Sequence, residues 1–237
     1  MIRAGAILFL ILISACAPAE RAPDTAHTPV ATSAPAAPAP VAARPRIVAL
    51  GDSLTAGYGL PAEESFPARA ARLLEREGTP VRIVNAGVSG DTTAGGLARL
   101  DWLLRQRPDV VVLCLGGNDG LRGLPLEKTE AHLGEIVDRA KAADTRVLLV
   151  GVKLPPVYGE EYTARFEAMY PALARAKGVP LVPFLLEGVG GDATLNLADG
   201  IHPNTAGQER LARTILPHLR KVLAAGARKG AEEDRPW

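Results

Sequence analysis

Ile47-Val48-Ala49-Leu50-Gly51-Asp52-Ser53-Leu54-Thr55-Ala56-Gly57-Tyr58 is the stretch on which the reading of the fold turns. An apolar run stops at Gly-Asp-Ser, and another glycine follows at position 57. The pattern predicts a buried strand that ends in a tight turn. That turn presents the Ser53 hydroxyl at the strand's carboxyl end, where open α/β sheets bind their ligands. A polar turn leaving a core strand reads the same way, so the stretch needs partners elsewhere in the chain.

Outward from it, apolar runs and helical periodicities alternate. Ser65-Phe66-Pro67 predicts a helix start with Ser65 as its cap, an apolar face through Phe66, Ala70, Leu73 and Leu74, and a stop at Gly78. Val81–Val84 reads as the second strand. A helix carrying Leu97, Leu100, Leu103 and Leu104 follows, broken by Pro108. Val110–Leu115 is a continuous apolar run, as expected for a strand covered on both faces. Helices over Pro125–Ala143 and Glu160–Lys177 flank a strand at Val147–Val152. A short fifth strand lies within Val179–Phe184, and a last helix is marked by Leu211 to Leu223. Alternation repeated five times predicts a doubly wound parallel sheet in one α/β domain.

Three later stretches supply what a nucleophilic serine needs. A serine hydroxyl attacks poorly until a base takes its proton. Of the four histidines, His27 lies near the amino terminus, and His132 and His218 fall within helical patterns. His202 sits in Asp199-Gly200-Ile201-His202-Pro203-Asn204, a loop just before the last helix. Histidine is the side chain that ordinarily exchanges a proton near neutral pH. Asp199, three residues upstream, is placed to orient the ring and stabilise its cation; an Asx turn is the alternative use of an Asp here. Gly116-Gly117-Asn118-Asp119-Gly120 and Val88-Ser89-Gly90-Asp91 each follow an apolar run, one offering an amide side chain and the other a backbone N–H. Asp52, Asp91 and Asp119 read as organisers of these loops.

These four blocks, in this order, resemble the GDSL esterases of the SGNH hydrolase superfamily, specifically the arylesterase and thioesterase I/protease I/lysophospholipase group. The likeness runs from Arg46 to Leu219 and includes Gly95-Gly96-Leu97-Ala98-Arg99-Leu100, Asn118-Asp119-Gly120-Leu121-Arg122-Gly123 and Leu154-Pro155. It implies a three-layer, flavodoxin-like sandwich with strand order 2-1-3-4-5. It implies Ser53, His202 and Asp199 as a triad, and an oxyanion hole from the Ser53 N–H, the Gly90 N–H and the Asn118 amide. The activity implied is hydrolysis of carboxylic esters and thioesters through an acyl-enzyme, with no cofactor. Leu54, Leu121, Leu154, Pro155 and Val157, apolar and close to the motifs, are candidates to line an acyl groove. A carbohydrate or peptidoglycan O-acetylesterase is the enzymatic alternative, and a flavodoxin-like binding module or a vestigial site is the non-enzymatic one. Gly-Asp-Ser-Leu-Thr is not G-x-S-x-G, which disfavours an α/β-hydrolase elbow, and no metal-binding motif occurs.

Composition bounds the rest. The 237 residues are 47% hydrophobic and carry a net charge of +1. One sizeable core is expected, and nothing suggests nucleic-acid binding. Aromatic residues make up 4% of the chain, too few for extensive stacking platforms. Cys114 lies mid-strand, where a lone cysteine behaves as a small hydrophobe. Residues 1–15 read as a leader, with Arg3 ahead of an apolar run from Ala6 to Ile13 that is too short to span a bilayer. Leu12-Ile13-Ser14-Ala15-Cys16 resembles a bacterial lipobox, which implies cleavage before Cys16 and its lipidation; an ordinary signal cleavage is the alternative. Residues 16–44 form an Ala/Pro-rich tether with no apolar periodicity. The catalytic domain is expected over 45–225 and a charged, disordered tail over 226–237. The expected partners are a small ester or lipid substrate and, through Cys16, a membrane. The residue after Cys16 is Ala17, not the Asp of inner-membrane retention, and by analogy this implies the outer membrane facing the periplasm.

Overall fold

The structure is a computed structural model that describes residues 44–233, with side chains described as far as residue 226. The expected leader and Cys16 lie outside the described residues. Five strands, β1 (Arg46–Gly51), β2 (Arg82–Gly87), β3 (Val110–Cys114), β4 (Arg146–Val150) and β5 (Leu181–Val182), form one sheet in the order β2-β1-β3-β4-β5. Every neighbouring pair is parallel. Each strand therefore needs a crossover, and the helices supply it: α1 (Ser53–Ala56), α2 (Phe66–Arg76), α3 (Thr93–Leu104), α4 (Gly117–Leu121), α5 (Leu126–Ala142), α6 (Glu160–Lys177) and α7 (Thr205–Glu233).

Strand residues alternate between two cores, as side chains with a period of two must. Ile47, Ala49 and Val112 pack with Phe66 and Leu74 of α2 and with Leu211, Ile215 and Leu219 of α7. Val48, Leu50 and Leu113 pack on the opposite face with Leu100 of α3, Leu133 and Ile136 of α5, and Phe166 of α6. Each fully buried Leu, Ile or Val contributes about 1.5–3 kcal/mol. These two packed faces hold the strand ends, and with them the site, in one plane.

Local chemistry explains three features of these elements. The fifth apolar run pairs only over Leu181–Val182; Pro180 and Pro183 flank it, and neither has an N–H to give a ladder. Ser65 precedes α2 but makes no side-chain cap. Its hydroxyl donates to the Ala62 carbonyl at 2.6 Å, and the amide of Phe66 instead donates to Gln208 Oε1 of α7 at 2.7 Å. Finally, α7 continues to Glu233, past the expected domain end at 225. Ala224, Ala225 and Ala227 are strong helix formers, and no proline interrupts before Pro236.

Candidate active site

β1 and β3 diverge toward different crossovers, leaving a crevice outside their carboxyl ends. Ser53 opens α1 in that crevice. Asp52 caps the turn, its carboxylate accepting from the Leu54 N–H at 3.0 Å. The turn sits hard against β2: a Cβ at Gly87 would lie 2.2 Å from the Ala56 nitrogen, so only glycine lets α1 nest there.

The loop before α7 brings up the base. His202 Nε2 lies 2.9 Å from Ser53 Oγ, and His202 Nδ1 lies 2.7 Å from Asp199 Oδ2. The other Asp199 oxygen accepts from the backbone N–H groups of Ile201 (2.9 Å) and His202 (3.0 Å). Those bonds, led by the His202 amide and ring, hold the Asp199 carboxyl down at about 2, so it is charged at neutral pH. With its proton on Nδ1, the ring leaves Nε2 as acceptor for the serine hydroxyl. Tyr58 lies over the imidazole at 4.3 Å between ring centroids and restrains its swing.

On the opposite side of Ser53, two loops face it. The Asn118 amide begins α4 and donates to the Asp91 carbonyl at 2.9 Å and to Asp52 Oδ2 at 3.3 Å. Gly90 has φ +80°, a conformation that an L side chain rarely adopts. The N–H groups of Ser53 and Gly90 donate no hydrogen bond among the described residues. Arg99 of α3 ties these parts together. It pairs with Asp91 at 2.9 Å and donates to the Ala86 and Gly51 carbonyls at the ends of β2 and β1. Asp119, next to Asn118, accepts from the Thr93 N–H at 2.9 Å and the Thr93 hydroxyl at 2.6 Å, joining α4 to α3. Asp52 is buried, and that burial pushes its carboxyl up to about 6.

The structure thus brings together Ser53, Asp199, His202, Gly90 and Asn118. It treats the acyl-groove candidates unevenly. Leu54 and Leu154 are closed into the core, and Leu154 covers Gly120 so closely that a Cβ there would lie 2.7 Å away. Leu121 and Pro155 remain exposed. Arg99, Thr93, Tyr58 and Gln208 were not singled out from the sequence; the only local signal was the Gly95–Leu100 block that contains Arg99. Among the described residues, no group of three or more His, Cys, Asp or Glu side chains converges as a metal site.

A serine hydroxyl 2.9 Å from a histidine ring nitrogen, with an aspartate on that ring's other nitrogen, at the carboxyl end of a parallel sheet is an arrangement of the kind serine hydrolases use. Comparison with known proteins narrows it. The chain is 44% identical over 183 residues to esterase TesA of Pseudomonas aeruginosa, covering 77% of this chain and 91% of that one. It is 42% identical over 183 residues to thioesterase 1/protease 1/lysophospholipase L1 of Escherichia coli K12, covering 77% and 86%. A crystal structure of TesA superposes with a TM-score of 0.73 at 44% identity, over 75% of this chain and 99% of that one. The chain belongs to the GDSL-like Lipase/Acylhydrolase family, which matches residues 49–210.

Proposed function

We propose that this carboxylic ester hydrolase cleaves carboxylic esters and thioesters through an acyl-enzyme on Ser53. The observation that carries the reading is the continuous line Asp199–His202–Ser53, with contacts of 2.7 and 2.9 Å. Ser53 Oγ attacks the acyl carbonyl as His202 Nε2 takes its proton, and Asp199 stabilises the imidazolium. The negative charge that develops on the carbonyl oxygen is met by the Ser53 and Gly90 N–H groups and by the Asn118 amide as it turns one N–H away from Asp52 Oδ2, the longer of its two bonds. Collapse of this intermediate breaks the bond to the alcohol or thiol, which leaves with the proton from His202. Water, deprotonated by the same nitrogen, then attacks the acyl-Ser53 ester and releases the acid. Relatives of the arylesterase, thioesterase and lysophospholipase kind support acyl esters as the substrates.

The test is a p-nitrophenyl ester series from acetate to palmitate, run beside Ser53→Ala. Turnover is expected to fall by at least about 10⁴-fold in the variant without loss of folding. Retained turnover would move the nucleophile elsewhere. Activity confined to acetate would point to a deacetylase pocket.

The same proposal places the enzyme outside the cytoplasm. The basic start and short apolar run of residues 1–15 support export, and Ser14-Ala15-Cys16 supports a lipid on Cys16, with Ala17 favouring the outer membrane facing the periplasm. Several acyl chains would anchor firmly, at about 0.8 kcal/mol per buried CH₂. Cys16→Ser is expected to move the protein from the membrane to the soluble fraction; unchanged retention would remove the lipid from the account.

A further inference from the structure

We infer that the mouth of the site docks on a lipid surface, so that the ester is presented to Ser53 from an aggregate of amphiphiles instead of from free solution. Among the described residues, eight large hydrophobic side chains are exposed, and all but Trp102 lie between a strand's carboxyl end and the long helix that follows it. Every strand contributes. Tyr58 follows β1, Val88 follows β2, Leu121 ends the helix after β3, Val157 follows β4, and Ile201 lies between β5 and α7. Their exposures are 48, 49, 39, 87 and 58%.

This distribution identifies the occupant. Exposed apolar side chains scattered singly need no explanation, but a contiguous set rimming a site marks an interaction surface. One acyl chain entering the crevice would need one or two of these residues, whereas they come from the connections that follow all five strands. Four of the five are aliphatic, which suits hydrocarbon; a sugar polymer would call for flat aromatic platforms. Val157 decides most. It sits on a short 3-10 turn, Pro156–Tyr158, stiffened by Pro155 and Pro156, and holds an aliphatic side chain almost wholly in water. The chain outside the described residues permits the approach. β1 enters at the far end of the sheet, about 20 Å from Ser53 at 3.3 Å per residue. A 27-residue Ala/Pro tether (residues 17–43) reaches about 80 Å in the polyproline limit. The mouth is therefore able to turn back to the membrane that would hold Cys16.

The inference rests on the esterase reading for its substrate, and its test separates the two. In the full chain carrying Cys16→Ser, Val157→Trp puts a reporter on the rim. Vesicles of phosphatidylcholine with brominated acyl chains are expected to shift its emission to the blue and quench it beyond the signal of the parent's own Trp102 and Trp237. Emission unchanged by vesicles overturns the docking. So does a shift without vesicles that grows with protein concentration, which would assign the rim to a second copy of the chain. This readout needs no turnover: an inactive chain that is still quenched keeps the docking and sinks the esterase reading. In the active enzyme, Val157→Asp should slow hydrolysis of micellar lysophosphatidylcholine about tenfold while leaving the same lipid, monomeric below its critical micelle concentration, within about twofold of the parent. Equal effects on both forms of the lipid would make Val157 part of a local subsite and overturn the inference.

Discussion

Two aspartates flank Ser53, and the protein pushes them in opposite directions. Asp199 stands on the exposed loop before α7 and is held at about 2 by hydrogen bonds that favour its charge. Asp52 lies beneath Ser53, buried, and desolvation lifts it to about 6. Their settings differ in the same way. The Asp199–His202 loop is supported mainly by itself: Leu197 N–H to the His202 carbonyl at 2.7 Å, Asn204 N–H to the Leu195 carbonyl at 2.9 Å, and a bridge between Asn196 and Pro203. The half around Asn118 is stitched into the sheet by Arg99, Asp91, Asp119 and Thr93. A proton carrier needs a ring held in line with the hydroxyl and with access to solvent. Donors for an oxyanion are useful only if already oriented before charge develops. The fold supplies each half with the rigidity its task requires.

The comparison breaks first at Asp199. Asp199→Asn keeps the shape but removes the charge that selects the His202 tautomer. The expected loss is about 10⁴-fold in kcat. Because hydrogen bonds hold Asp199 charged in the folded state, its contribution is present at pH 7 and the melting temperature should fall modestly, while the dominant loss is in rate. A large loss of stability with modest loss of rate would reverse the assignment and make Asp199 a turn residue.

The rigid half is probed by Asn118→Ala. Removing one oxyanion donor should lower kcat by about 10²–10³-fold and leave KM nearly unchanged. A rise in KM at constant kcat would make Asn118 a ground-state binding residue. The same change leaves Asp91 and Asp52 without their amide partner, so a circular-dichroism melt alongside separates rate from folding.

The two halves were also unequally legible. Ser53, Asn118, Asp199 and His202 stand in short motifs whose chemistry is local, and the alternating runs show a parallel α/β sheet directly. Arg99 reaches a carbonyl 48 residues away, and Gln208 caps a helix 142 residues away. The Gly95–Leu100 block marks the stretch around Arg99 without revealing its partners, and nothing near Gln208 announces its contact. Leu54 and Leu154 illustrate the reverse difficulty: an apolar residue beside a motif has the same spelling whether it lines a groove or fills a core, and only packing separates the cases. Ser65 had the right residue type for a cap, but the Ala62 carbonyl took its hydroxyl.

The smallest expected effect concerns Asp52 and is read in stability. Its folded value, about 6, lies above the ordinary 3.8. The folded state therefore binds the proton more tightly than the unfolded state. The contribution is fully present below about pH 4 and is lost as pH rises through about 6. A shift of that size corresponds to roughly 2–3 kcal/mol. Asp199 works oppositely: its contribution is present above about pH 4 and is lost as pH falls toward 2, so the two windows do not overlap. Urea titrations of parent and Asp52→Asn between pH 4 and 7 isolate the term, since every other group is common to both chains. The parent should lose stability relative to the variant across that range, with the loss spread between about pH 4 and 6 and levelling off above it. Asn keeps an oxygen for the Leu54 N–H but faces the Asn118 amide with another donor, so the variant should also lose rate. A pH-independent difference in stability would mean that Asp52 is ionised without penalty in the folded protein, and that the buried half of the site is wetter than its packing implies.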